Sequence, residues 1–163
     1  MTDHSAPVEP SANPSARRLL LATDGSEHAN AALRAGIRLV EPGLGSLLVT
    51  VVPTLDPSIV VGSGHAGPVM TFADEQQLIE ERDRDARRAV DEAAAFLGLS
   101  EIEIEILGGD PGAAICERAE EAEIDLIVIG TSGTGGFKRA LLGSVSDYVV
   151  RHAPCPVITS NPD

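Results

Sequence analysis

The sequence predicts a parallel α/β sheet with helices on both faces, and three observations carry that prediction. Two apolar runs, Leu19-Leu20-Leu21-Ala22 and Leu126-Ile127-Val128-Ile129, have the length of strands and do not alternate with polar residues, as in strands buried on both faces. Runs of this kind take turns along the chain with segments of helical period. Aromatic residues make up only 2% and Trp is absent, so the core is built from Leu, Ile, Val and Ala. A length of 163 residues suits one domain with a real core.

Taken in order, residues 1–16 are rich in Pro, Ser and Ala and predict a disordered tail. Arg17 to Thr23 reads as the first buried strand. Asp24-Gly25-Ser26 follows, with Ser26 placed to cap a helix from Glu27 to about Val40, where Pro42-Gly43 stops it. Ser46 to Val52 is the second strand. The connection from Pro53 to about Thr71 is long for a compact domain. It holds a formal GxGxxG, Gly62 to Gly67, but prolines flank it and no strand leads directly into it, so a flexible loop is the better reading than a dinucleotide fingerprint.

Asp74 to Leu97 predicts a long helix with a buried stripe of Leu78, Ala86, Ala89, Val90, Ala93, Phe96 and Leu97. Glu80 with Arg84 and Asp83 with Arg87 are spaced for i,i+4 pairs on its outer face. Glu101 to Leu107 alternates strictly, which predicts a strand with one wet face at a sheet edge. Gly112 to Ala122 is a helix with Pro111 in its first turn. Asp125 to Ile129 is a buried strand, Gly143 to Asp147 opens a helix, and Pro156 to Thr159 is a short last strand before a tail at 161–163.

The formal net charge is −13. Such a chain repels a phosphate backbone, so neither nucleic acid nor an anionic membrane is an expected partner, and an anionic ligand needs local help. Cys116 and Cys155 show no CxxC or Cys/His metal spacing and read as small buried residues of a reducing compartment. With no apolar run approaching a membrane span and no signal-peptide pattern, the cytoplasm is the expected location.

The chemistry concentrates in Gly130-x2-Gly133-x9-Gly143-Ser144. A buried strand ends at Gly130, and a loop rich in Gly, Ser and Thr follows. The Gly143-Ser144-Val145-Ser146-Asp147 stretch then begins a helix. Gly allows backbone N–H groups to approach an anion, and the first helical turn adds unpaired donors and the positive end of the macrodipole. Lys138 and Arg139 in the loop stand either as phosphate-neutralising cations or as exposed loop charges. No Walker A pattern exists: Gly136-Phe137-Lys138 lacks the distal Gly and the following Ser or Thr. The histidines are isolated, and no nucleophile–base pair, metal cluster or water-positioning group can be assembled.

This spacing resembles the ATP-binding signature of the universal stress protein family. Arg151-His152-Ala153-Pro154-Cys155-Pro156-Val157 is similar to that family's C-terminal segment, and the resemblance runs from about Arg17 to Ser160. It implies one domain over 17–160: an open, doubly wound, Rossmann-like five-stranded sheet of order 3-2-1-4-5. Ligands in such sheets bind at the carboxyl ends of the strands at the switch point, here between the first and fourth strands, which puts Thr23-Asp24 beside Gly130-Thr131.

The resemblance implies further that Ala22, Thr23 and Asp24 line the nucleotide and that Val51 covers the adenine. Ile129 and Gly130 flank the ribose and adenine. Gly133, Gly143, Ser144 and Val145 hold phosphates through backbone N–H, with the Ser144 hydroxyl as a further donor and Ser146 contributing likewise. Ser132 stands where many members carry a larger His or Arg, so no side-chain phosphate contact is assigned there. The Asp24 carboxylate is placed to accept a ribose hydroxyl or to hold Mg2+ between phosphates, or else to form an Asx turn or cap.

The expected function is a cytoplasmic, ATP-binding stress-response sensor or regulator. It is expected to dimerise antiparallel through the final strand. Two alternatives stay open: a slow ATPase or a phosphate- or adenylyl-transferring enzyme, and a nucleotide-free dimeric scaffold. Adenine nucleotides other than ATP, cyclic AMP among them, also fit.

Overall fold

The structure is a computed structural model that describes residues 17–40, 44–54, 72–99, 102–131 and 142–161, with side chains from residue 76 onward in the third stretch. Among the described residues nine elements follow one another: β1 (Arg18–Ala22), α1 (Glu27–Ile37), β2 (Gly45–Val52), α2 (Phe72–Leu97), β3 (Ile102–Gly108), α3 (Pro111–Glu121), β4 (Leu126–Gly130), α4 (Ser144–His152) and β5 (Val157–Ser160). The five strands form one sheet in the order β3-β2-β1-β4-β5. Every pairing is parallel.

The two central strands are apolar throughout because both their faces are covered. Leu20 and Ala22 point to one side with Leu47, Val49, Ile127 and Ile129, where Ile115, Cys116 and Ala119 of α3 and Val149 of α4 close over them. Leu19 and Leu21 point to the other with Leu48 and Val128, under Leu33 of α1 and Val90 and Ala93 of α2. The period-2 geometry of a strand divides one apolar run between two cores. Gly36 lets α1 lie directly on Val128, since a Cβ there would collide with the Val128 side chain.

Four local expectations change. Helix α1 ends at Ile37, not Val40: Leu39 and Val40 donate i→i−3 bonds to Gly36 and Ile37, a tightened last turn that leaves Leu39 78% exposed. Phe96 belongs to no buried stripe. It is 46% exposed, and the Arg34 guanidinium sits 5.2 Å from its ring centroid, so a cation–π contact takes the place of burial. On α2 the ion pairs join Arg88 to Asp85 at 3.4 Å and to Glu92 at 4.0 Å; Glu80–Arg84 and Asp83–Arg87 are not among the pairs of the described residues.

The fourth change concerns the glutamate face of β3, which is less wet than alternation suggests. Glu105 is held in a two-pronged pair by Arg118 of α3, at 2.5 Å from Nε and 2.7 Å from Nη2. Glu103 accepts from Arg18 at 2.9 Å. The β3 edge position itself is as expected. Residues 1–16, the 62–67 glycine run and the 162–163 end of the tail lie outside the described residues.

Candidate functional site

The order β3-β2-β1-β4-β5 reverses direction between β1 and β4, so the chain leaves these neighbouring strands toward opposite sides. Ala22 pairs in register with Val49 on one side and Ile129 on the other. The carboxyl ends of β1, β2 and β4 therefore meet at one edge, and a crevice outside that edge is where open α/β sheets take ligands.

The first wall is the turn after β1. Thr23 is 7% exposed and its N–H donates to Val49 O at 3.0 Å, which extends the sheet by one residue. Asp24 is exposed, and its Oδ1 accepts from Ser26 N at 3.0 Å and Ser26 Oγ at 2.6 Å. That is an Asx turn, and Ser26 in turn caps α1 by accepting from Ala29 N at 3.1 Å. Gly25 has φ +80, and a Cβ on it would lie 2.6 Å from the Ala89 Cβ of α2. Only glycine satisfies both the turn and this close approach.

The second wall is the junction of β4 and α4. Thr131 follows Gly130, and its carbonyl accepts from Gly143 N at 2.6 Å and from Ser146 Oγ at 3.3 Å. The start of α4 is thereby tied to the end of β4. The Gly143 N–H is spent in this tie. Ser146 is 2% exposed, and its hydroxyl also faces Gly143 O at 3.0 Å, so its proton serves carbonyls of its own chain. The first i→i−4 bond of α4 is Asp147 N to Gly143 O at 2.8 Å. The N–H groups of Ser144, Val145 and Ser146 precede it, and Gly143 supplies no side-chain cap. Helices α1 and α3 differ: Ser26 and Asp110 cap them with side-chain oxygens.

Of the other expected positions, Ala22 and Ile129 are buried in the core below the edge, 5% and 6% exposed, so what they turn to the crevice is backbone. Val51 is half-buried near the end of β2 and packs on the same core cluster as Leu107 and Val145. Gly133, Ser132, Lys138 and Arg139 lie outside the described residues. Sequence reasoning passed over Asn30, a buried carboxamide 8% exposed beneath Thr23, and gave Thr131 no role. An Asn on the apolar face of α1, beside Ala29 and Leu33, was the available signal for the first.

The remaining chemistry is sparse. Burial, aided by Glu117, pushes the Cys116 thiol above its ordinary range, and burial with Asp125 does the same to Cys155; both are free thiols. Among the described residues no group of three or more His, Cys, Asp or Glu side chains is arranged to hold a metal. No helix there is long and apolar enough to cross a membrane.

Residues 15–160 match the sequence model of the universal stress protein family. A universal stress protein of Methanocaldococcus jannaschii is 30% identical over 142 residues, which cover 87% of this chain and 80% of that one. Among solved structures, the universal stress protein UspA of Lactobacillus plantarum is 27% identical with a TM-score of 0.68, covering 91% of this chain and all of that one (100%). A universal stress protein in complex with cAMP is 25% identical with a TM-score of 0.54, covering 90% of this chain and 98% of that one. A family match spanning the whole of the described sheet, joined to relatives covered over 80% or more of their length, makes this chain a member of the universal stress protein family.

Proposed function

We propose that this protein binds ATP at the carboxyl edge of its sheet, between the ends of β1 and β4, and serves as a cytoplasmic stress-response sensor or regulator. The observation that carries the reading is the Thr131 carbonyl tie, which sets the uncapped first turn of α4 against the end of β4. Three N–H groups and the positive end of a helix dipole then flank the switch point of a chain whose net charge is −13. An anion at that place offsets both the dipole and the donors of the first turn, which have no partner among the described residues.

In this reading Ser144, Val145 and Ser146 donate backbone N–H groups to phosphate, with Gly133 completing the cradle. Gly143 contributes by position, since its own N–H is engaged. Ala22, Thr23, Ile129 and Gly130 border the ribose and adenine, and Val51 closes over the base. Asp24 accepts a ribose hydroxyl or one ligand position of Mg2+, whose other ligands come from phosphates and water. The solved relative in complex with cAMP supports an adenine nucleotide as the class of ligand. A homodimer pairs two copies of β5, the strand at the sheet edge.

Native mass spectrometry of freshly purified protein tests this reading. The expected result is one adenine nucleotide per chain, or its uptake from added Mg-ATP in preference to GTP. A protein that carries none and takes up none overturns it. Prolonged incubation with labelled ATP is expected to return the label unhydrolysed on the time scale of binding.

A further inference from the structure

Of the polar pair buried beneath the β1–α1 turn, Thr23 and Asn30, only Asn30 has no role in the contacts proposed above. Asn30 is the fourth residue of α1, on a face otherwise filled by Ala29, Ala32, Leu33 and Gly36. Asn30 and Thr23 are 8% and 7% exposed. A carboxamide placed there costs stability unless its hydrogen bonds are made. The Thr23 hydroxyl donates to Asn30 Oδ1 at 2.8 Å and accepts from the Gly25 N–H at 3.0 Å. Its single proton is committed to Asn30, which leaves its lone pairs facing the turn.

Two chains of bonds then hold the turn from Thr23 to Ser26. Asn30, Thr23 and Gly25 form the inner one, and Asp24, Ser26 and Ala29 the outer. Both are rooted in α1. Gly25 between them is held at φ +80 with α2 against it, so its N–H direction sets where the Asp24 side chain starts. With an apolar residue at position 30, the Thr23 proton would need another acceptor, and the hydroxyl would turn away from Gly25.

We propose that Asn30 is a positioning residue of the adenine-nucleotide site: by fixing the Thr23 hydroxyl it fixes the Gly25 N–H and so the turn that presents Asp24 at the switch point. The proposal rests on the nucleotide reading above. Asn30 does not touch the ligand; it acts through Thr23.

The test is an ATP titration by calorimetry of the wild type, Asn30→Leu, Thr23→Val and the double variant, together with amide hydrogen exchange at Gly25 in the nucleotide-free protein. Each single variant is expected to bind ATP about tenfold more weakly, the size of effect of one buried hydrogen bond. The double variant is expected to lose about tenfold, not a hundredfold, because both changes remove one connected unit. The Gly25 amide is expected to lose protection in Asn30→Leu and to keep it in Asn30→Asp, which retains the acceptor oxygen. A lowered melting temperature with unchanged ATP affinity would make Asn30 merely structural and overturn the proposal. Additive losses, or lost protection in Asn30→Asp, also overturn it. A wild type that binds no ATP overturns the nucleotide reading itself, and with it the site role of Asn30. The Gly25 exchange then still reports whether Asn30 sets the turn.

Discussion

At Gly25 two demands fall on one atom. The residue sits at φ +80, and the space a Cβ would need is taken by Ala89 Cβ at 2.6 Å. Gly25→Ala is expected to cost about 2 kcal/mol, from strain in the left-handed region and displacement of α2. Urea denaturation checks this, and an unchanged midpoint would mean that α2 gives way freely. Glu105 shows how a charge can be worth more than its position suggests. Hydrogen bonding to Arg118, against the opposing cost of burial, holds its carboxyl below the usual value near 4.5. A lowered native pKa stabilises the fold above the unfolded-state pKa, and the gain is lost as pH falls through the native value. The expected loss in Glu105→Gln is about 1 kcal/mol at pH 7, shrinking toward zero on acidification below about 4. Stability curves of both proteins at pH 7 and pH 3 read it directly; a pH-independent difference would reject the pair as its cause.

At the scale of elements, the ends of strands and helices decide the site. Ser146 joins α4 to β4 through a buried hydroxyl that faces both Gly143 O and Thr131 O. Ser146→Ala is expected to destabilise by about 1 kcal/mol and to loosen the first turn of α4. Thermal melting with amide exchange at Gly143 and Asp147, whose N–H groups donate to Thr131 O and Gly143 O, checks this, and full protection of both in the variant would contradict the tie. The existence of all nine elements of the described residues was legible in the sequence, because buried strands and amphipathic helices have different periods. The Leu126–Ile129 run and the Gly143-Ser144 start of α4 were read directly. What was not legible depends on contacts between distant residues. The Thr131 carbonyl could not be seen to bond to Gly143, nor Arg118 to reach Glu105, from spacing alone. Phe96 counted as core by period, yet Arg34 from another helix meets it at the surface. Asn30 was visible only as a polar residue on an apolar face. That its partner is Thr23 follows from the turn, which folds the first turn of α1 back toward the end of β1.

For the whole molecule, the sheet has two edges of different character. The β3 edge carries Glu103 and Glu105, and charge discourages pairing there. The β5 edge is short, and its residues are all half-buried. Pro156 O accepts from Ile127 of β4 and Ser160 O from Thr131 just past it, so Val157 and Thr159 turn their N–H and C=O groups outward. Ile158 packs with the α1-side core, and changing it would disturb the fold as well as any interface. Thr159→Pro removes an outward donor and spares the β4 ladder. In light scattering the wild type is expected at twice the chain mass and Thr159→Pro near the single mass. A wild-type monomer at micromolar concentration would reject the dimer. The central claim, an adenine nucleotide held at the switch point, is tested most directly by titrating Mg-ATP into isotope-labelled protein and following its amide resonances. Saturable shifts are expected, concentrated at Ala22 to Asp24, Gly130, Thr131 and Ser144 to Ser146. Shifts absent at saturating ATP, or confined to surfaces away from the carboxyl edge, would contradict it.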